Sequence, residues 1–237
     1  MTAGVVPELA TGKVTEHNAR TEAGLPPNRV KEHVTRWLLL CGVLAPPLLA
    51  IFFVSVGVVT PDFSFISETI SQLGARGMPY PGVMNSGFIV CGVLLILFAL
   101  GLYLRLGRSV VAKAVWLLLA IEGICIVLSG VYQTDSPVPG ITCSAEGNLH
   151  CIFSLIAFFV LPITMAVFLW ITYRRPAWRG LTRISITVLV LNLLLFLVFM
   201  IVGADRIAGA MELSFFGISL VWLEAVSLRS LRLPAYI

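Results

Sequence analysis

The stretch "WLLLCGVLAPPLLAIFFVSVGVV", Trp37 to Val59, runs for 23 residues without a charged side chain. A helix crosses the hydrocarbon core of a bilayer with roughly 20 mostly apolar residues, each advancing it by about 1.5 Å. Five further runs have the same character: Val83–Leu104, Ala114–Tyr132, Cys151–Tyr173, Ile184–Val202 and Ile207–Leu228. The whole chain is 58% hydrophobic and 12% charged, where a soluble domain carries about 25% charged residues. Its mean hydropathy is +0.98. The expected fold is all-α, a polytopic bundle of six transmembrane helices occupying residues 37–231.

Residues 1–36 lack the apolar core of a cleavable signal peptide, so the first span is expected to serve as the insertion signal. Rich in Thr, Glu, Pro and Gly, this tail is expected to be disordered up to about Pro27. "NRVKEHVTR", Asn28–Arg36, reads as a topology determinant or a short basic helix beside the membrane. Residues 232–237 form a second short tail. Basic residues set the orientation of such a chain, cytoplasmic loops being enriched in them. The N-terminal tail, the links after spans two and four, and the C-terminal end hold 14 of the 16 Lys and Arg. Arg76 and Arg206 alone fall on the other side. A multi-pass cell-membrane protein with both termini in the cytoplasm is expected, and the net charge of +4 calls for no nucleic-acid partner.

Between spans one and two lies "FSFISETISQLGARG", Phe63–Gly77. Phe63, Ile66, Ile70 and Leu73 recur at spacings of three and four, while Ser64, Ser67, Glu68 and Ser71 fill the opposite face. This pattern predicts a short extracytoplasmic amphipathic helix, opened by Thr60-Pro61-Asp62 and ended by Gly74. It would rest on the interface or close the bundle like a lid.

Ionisable groups inside hydrocarbon are expensive and usually face the bundle interior or a cavity. Glu122 lies near the middle of span three, with Cys125, Ser129 and Tyr132 following at helical spacing. Glu212 sits about one turn inside span six, with Asp205 and Arg206 just before it. His150 opens span four with Ser154 one turn below, and Asn85 stands in the outer turn of span two. Together with Glu68, Ser67 and Asp135, these define an expected outward-facing polar pocket floored by Glu122. Glu68, Asp135, His150 and Glu212 are the candidate acid–base groups; Ser67, Asn85, Glu122 and Arg206 are the candidate ligand-binding groups. Each loop-end residue has a bland alternative as a cap, a solvated charge or a structural ion pair. Asn192 reads as an interhelical hydrogen bond, and Glu224 as a carboxylate snorkelling towards Arg229. Pro46, Pro47 and Pro162 should bend spans one and four.

Cys41, Cys91 and Cys125 read as small apolar residues. Cys143 and Cys151 flank His150, and an oxidising exterior permits a disulfide between them without requiring it. No metal site is expected, because the paired histidines of metal motifs are missing, and no cofactor motif occurs. Neither transporter repeats nor a channel filter are present.

"SFISETISQLGARGMPYPGVMNSGFIVCGVLL" (64–95), "YQTDSPVPG" (132–140) and "GNLHCIFSLIAF" (147–158) together resemble an uncharacterised prokaryotic membrane family, domain of unknown function nine-nine-eight. The resemblance covers about Trp37 to Leu231 and implies six spans. It picks out Ser67, Glu68, Gly74, Asn85, Asp135 and His150 as recurring positions and implies no reaction. Metal hydrolases related to alkaline ceramidases are rejected, since the last span has no histidine pair. Three functions follow from the residues. The first is binding of a lipid-like or isoprenoid-like amphipathic molecule, or of an envelope partner. The second is acid–base catalysis of cyclisation, isomerisation or hydrolysis of a hydrophobic substrate. The third is proton-coupled transport through Glu122.

Overall fold

A computed structural model of the chain describes residues 29–135, 144–202 and 207–233. Among the described residues, six helices are long and apolar enough to cross a membrane, and this is a multi-pass membrane protein. They are α1 (Arg29–Val59), α2 (Pro81–Leu106), α3 (Val110–Val131), α4 (Ala145–Arg174), α5 (Thr182–Val202) and α6 (Ala208–Arg232). Short 3-10 turns, Ile70–Gly74 and Pro176–Leu181, precede α2 and α5. Each helix packs on its neighbour in sequence, and α6 returns to α1, so the six close into a ring. Both described ends of the chain lie at one end of this ring, here the termini end. The 60–80 loop lies at the far end.

Local chemistry sets the helix starts. Pro81 supplies the first-turn proline of α2, while Ser109 and Ser144 accept from Ala112 N–H and Gly147 N–H to cap α3 and α4. The helix through "RVKEHVTR" is continuous with the first span, so α1 starts eight residues before the expected Trp37. Helices α1 and α4 run unbroken through Pro46, Pro47 and Pro162. The expected disorder before Pro27 falls outside the described residues.

Packing is uneven around the ring. Gly92 of α2 and Gly123 of α3 press backbone on backbone: a Cβ at Gly92 would lie 2.5 Å from Gly123 O. Small residues at a crossing let membrane helices approach so closely, where packing replaces the hydrophobic effect as the driving force. The α1–α2, α2–α3 and α3–α4 seams are tight, whereas α5 touches both its neighbours lightly. At the termini end Phe168 meets Trp178 and Trp222 edge to face, at 5.5 and 5.6 Å between ring centres, within a continuous apolar core. Asn192 of α5 donates to Ser219 Oγ of α6 at 2.9 Å, the interhelical bond expected of it and worth about 0.6 kcal/mol.

The 60–80 loop differs from its expected form. Only Ile70–Gly74 is helical, as one 3-10 turn. Side chains capture the backbone that an α-helix would need: Glu68 accepts from Ser64 N–H at 2.7 Å, and Gln72 Oε1 from Thr69 N–H at 3.0 Å. Ser and Thr hydroxyls add local bonds of the same kind, which compete with helix formation. The apolar stripe divides as a result. Ile70 and Leu73 are buried against α1 and α2, Phe63 packs at the edge of that cluster, and Ile66 is exposed.

Candidate functional site

A cavity of about 440 Å³ lies inside the ring near the far end. All six helices line it, and Thr69–Ser71 of the loop roof it. Leu95, Leu161 and Leu223, members of the core at the termini end, close it below. Most of its wall is apolar. The volume falls within the 300–1,000 Å³ range usual for small-molecule sites.

Glu122 faces this cavity from the middle of α3 and is 1% exposed. Neither of its carboxyl oxygens has a protein hydrogen-bond partner. A buried polar group left unpaired costs about 1–3 kcal/mol, and a charged one more. Two turns further along α3, Ser129 shares a hydroxyl–hydroxyl bond of 3.1 Å with Ser154 of α4. By the helical rise, Ser129 lies roughly 10 Å nearer the far end than Glu122.

His150 is fixed at this upper level by two carbonyls of α3's last turn. Its Nδ1 lies 2.8 Å from Ser129 O and 2.9 Å from Tyr132 O. Carbonyl oxygens only accept, so Nδ1 carries the hydrogen, and in the neutral ring Nε2 presents a lone pair. That Nε2 is buried and unpartnered, and the residue lines the cavity.

Glu212 completes the group from α6. It lines the cavity, and its Oε2 accepts from Ile70 N–H at the start of the loop's 3-10 turn. The loop is tied to α6 at two neighbouring points as well. Ala210 N–H donates to Ile66 O at 3.0 Å. At Gly209 a Cβ would stand 2.1 Å from Glu68 O, so this contact requires a residue without one.

Of the residues expected in the pocket, Glu122, His150 and Glu212 meet around one cavity. The others that lie among the described residues do not line it. Glu68 holds Ser64 N–H, and Ser67 is exposed beside it. Asn85 is buried and donates to Gly74 O at 3.0 Å, which docks the loop on α2. Asp135 accepts from the Ser144 hydroxyl at 2.6 Å and the Ser144 N–H at 2.8 Å, organising the start of α4. The Ser144 hydroxyl, then its N–H, then the more distant Arg76 hold this carboxyl below its usual value of 3.8. Arg206, Asp205 and Cys143 lie outside the described residues, and so does the proposed Cys143–Cys151 disulfide. Cys151 itself lines the cavity.

Glu224 departs from its expected pairing. Its Oε2 is buried without a partner, while Arg229 donates from Nε and Nη2 to Ala177 O at 2.9 and 2.5 Å. A backbone carbonyl at the end of the 3-10 link competes successfully for the guanidinium. Sequence reading also missed the aromatic wall. Phe158 stacks on Phe215 at 3.9 Å and meets Phe196 at 5.9 Å, but spans rich in Phe and Leu carry no signal for which rings converge. Among the described residues, no group of three or more His, Cys, Asp or Glu is arranged to hold a metal ion.

A polytopic six-helix membrane protein with a largely apolar cavity that holds a few buried ionisable groups is thus the class that fold and site define. Residues 43–229 match the family described as "Protein of unknown function (DUF998)", and the chain belongs to that family. No curated protein and no solved structure matches it.

Proposed function

We propose that this protein holds a lipid-like or isoprenoid-like amphipathic molecule in the cavity between its helices. The observation that carries the reading is Glu122, 1% exposed with both oxygens unpartnered in a largely apolar chamber. Such a group is stabilised by an occupant that hydrogen-bonds it, and apolar walls suit the remainder of an amphipathic molecule. Native mass spectrometry of gently solubilised protein, with extraction of what co-purifies, tests this. One amphipathic molecule per chain, lost on filling the cavity with Ser154→Trp, is the expected result. Protein that carries no such molecule, with Ser154→Trp indistinguishable from wild type, would overturn it. The bilayer is the cell membrane in this reading and the termini end faces the cytoplasm, in keeping with its 14 basic residues. Reporter fusions at either terminus check the orientation.

One observation favours acid–base catalysis as the second reading. The unpartnered Nε2 of His150 shares the cavity with two carboxyl groups, as a proton shuttle would require. An enzyme would lose turnover by about 10²-fold or more in His150→Gln, whereas a binding protein would lose only affinity. Transport through Glu122 ranks third, because packed aromatic and aliphatic residues separate the cavity from the termini end.

A further inference from the structure

From the polar atoms left open around the cavity, we infer that its occupant carries a hydrogen-bond-donating head, a hydroxyl or an amine, with its apolar part directed towards the α4–α5 seam. This rests on the binding reading above and specifies its ligand.

The head chemistry follows from which polar atoms already have partners. Ser129 and Ser154 share one hydroxyl–hydroxyl bond, and so do Thr69 and Ser71. Ser219 donates to Phe215 O and accepts from Asn192. Of the fully buried polar atoms lining the cavity, Glu122 Oε1 and Oε2 and His150 Nε2 are without partners. In the neutral ring that nitrogen is an acceptor, because Nδ1 holds the hydrogen, and Glu212 adds a second carboxyl nearer the level of His150. Among the described residues lining the cavity there is no Lys or Arg. A phosphate or carboxylate head would bring only further acceptors, and negative charge, into an enclosed site already holding two acidic groups. A hydroxyl or ammonium supplies a donor to whichever of these groups it reaches, the Glu122 carboxyl first of all.

The direction of the apolar part follows from the wall opposite. Among the described side chains, helix α5 contributes Leu195 and Phe196 to the cavity. Across the α4–α5 seam, Phe159, Phe196, Phe158 and Phe215 are in ring contact from the surface inwards. Phe159 is 46% exposed at the outer edge, and Leu155, which lines the cavity, is 58% exposed on the same side. Side chains rather than close backbone contact separate the cavity from lipid here, along one of the two lightest seams of the ring. The polar atoms stand towards α3 and the aromatic rings towards α5, so an amphipathic molecule would lie across the bundle with its head innermost.

The test is a native mass-spectrometric titration of the full chain in detergent micelles with three matched probes: hexadecylamine, monopalmitoylglycerol and hexadecyl phosphate. In wild type the amine or the glyceride should bind one per chain, at least tenfold tighter than the phosphate. Glu122→Leu should weaken the donor-headed probes about tenfold and leave the phosphate unchanged. Phe196→Ala should weaken all three alike. His150→Phe repeats the head test should Glu122→Leu fold poorly. If hexadecyl phosphate binds as tightly as the others or more so, the donor-head inference fails while the cavity reading survives. If all three probes bind the Ser154→Trp variant as well as wild type, binding is elsewhere and the cavity reading fails too.

Discussion

Two buried ionisable groups, Arg105 at the termini end and Glu122 in the cavity, are treated in opposite ways. At the termini end Arg105, fully buried, grips Glu32 through two guanidinium nitrogens at 3.0 and 3.3 Å, and donates to Leu233 O at 2.6 Å. Arg175 and Arg229 likewise donate to the carbonyls of Leu106 and Ala177. Cations there complete helix ends and join α1, α2, α4 and α6 to one another. At the far end Glu122 and His150 keep polar atoms without partners, facing a cavity. Arg105 leaves only its Nε without a partner, and a charge so bonded holds structure together. A buried polar atom without a partner destabilises the fold, and a binding site is a reason to keep it.

The largest effect should come from breaking the Arg105–Glu32 pair. Glu32→Ala leaves a buried guanidinium without its counter-charge, a change that costs roughly 3–5 kcal/mol in fully buried pairs. Glu32 retains a quarter of its exposure, so a loss of roughly 3 kcal/mol is expected. Thermal unfolding of the purified protein measures it. Adding Arg105→Met should restore much of the loss, since an apolar pair of similar volume replaces a buried ion pair at little cost. Unchanged stability in Glu32→Ala would erase the contrast between the two groups.

The same kind of change at the far end should act in the opposite direction. Glu122→Leu removes an unpartnered buried carboxyl and should stabilise lipid-stripped protein by about 1–2 kcal/mol. It should simultaneously weaken ligand retention, the usual exchange between stability and function at a site. A destabilised variant with intact retention would show that Glu122 is a structural group.

How much of this was legible in the sequence follows the same division. Six spans can be read from uncharged runs because the bilayer demands length and apolarity of each helix separately. Glu122 was legible for that reason too, as a carboxyl in such a run. His150 and Glu212 could be placed at the far end by topology, although which groups meet there depends on helix rotation. Glu68 and Asp135 were expected beside them in the site. Both lie instead next to backbone N–H groups only a few residues away, and those donors claim the carboxylates locally. Nothing in the sequence distinguishes a carboxylate that will cap a turn from one that will face a ligand. The loop fell short of a full helix for a related reason: the Ser, Thr, Glu and Gln that gave it a polar face also bond its backbone. The Phe158–Phe196–Phe215 wall was hidden because every span offers rings, and their convergence depends on the crossing of α4, α5 and α6.

A smaller effect should follow from loosening the roof while leaving both ends' charges intact. Gly209→Val places side-chain atoms where Glu68 O now stands and should displace the loop from α6, with loss of the Ala210–Ile66 bond. About 1 kcal/mol of stability should be lost. Hydrogen exchange should quicken across residues 60–75 and at the first turn of α6, while α2 and α3 remain protected. Uniformly faster exchange would mean that the roof is part of the core and does not open separately.

The smallest effect separates the two kinds of carboxylate by pH. Asp135 is held as a carboxylate by the Ser144 hydroxyl and N–H, so its folded-state value lies below the ordinary 3.8. A depressed value means that the contribution of this cap is fully present above the ordinary range. It is lost as pH falls through the folded-state value. The first turn of α4 should therefore keep slow amide exchange at Gly147 down to about pH 4 and lose it in more acidic solution. Asp135→Asn removes the charge while keeping one acceptor, so exchange there should become faster at neutral pH and nearly independent of pH on the acid side. Ligand retention at neutral pH should be unaffected by the same substitution, because Asp135 does not line the cavity. If Asp135→Asn instead abolished retention while leaving α4 protected, Asp135 would belong with Glu122 and His150, and the distinction between capped and open carboxyl groups would fail.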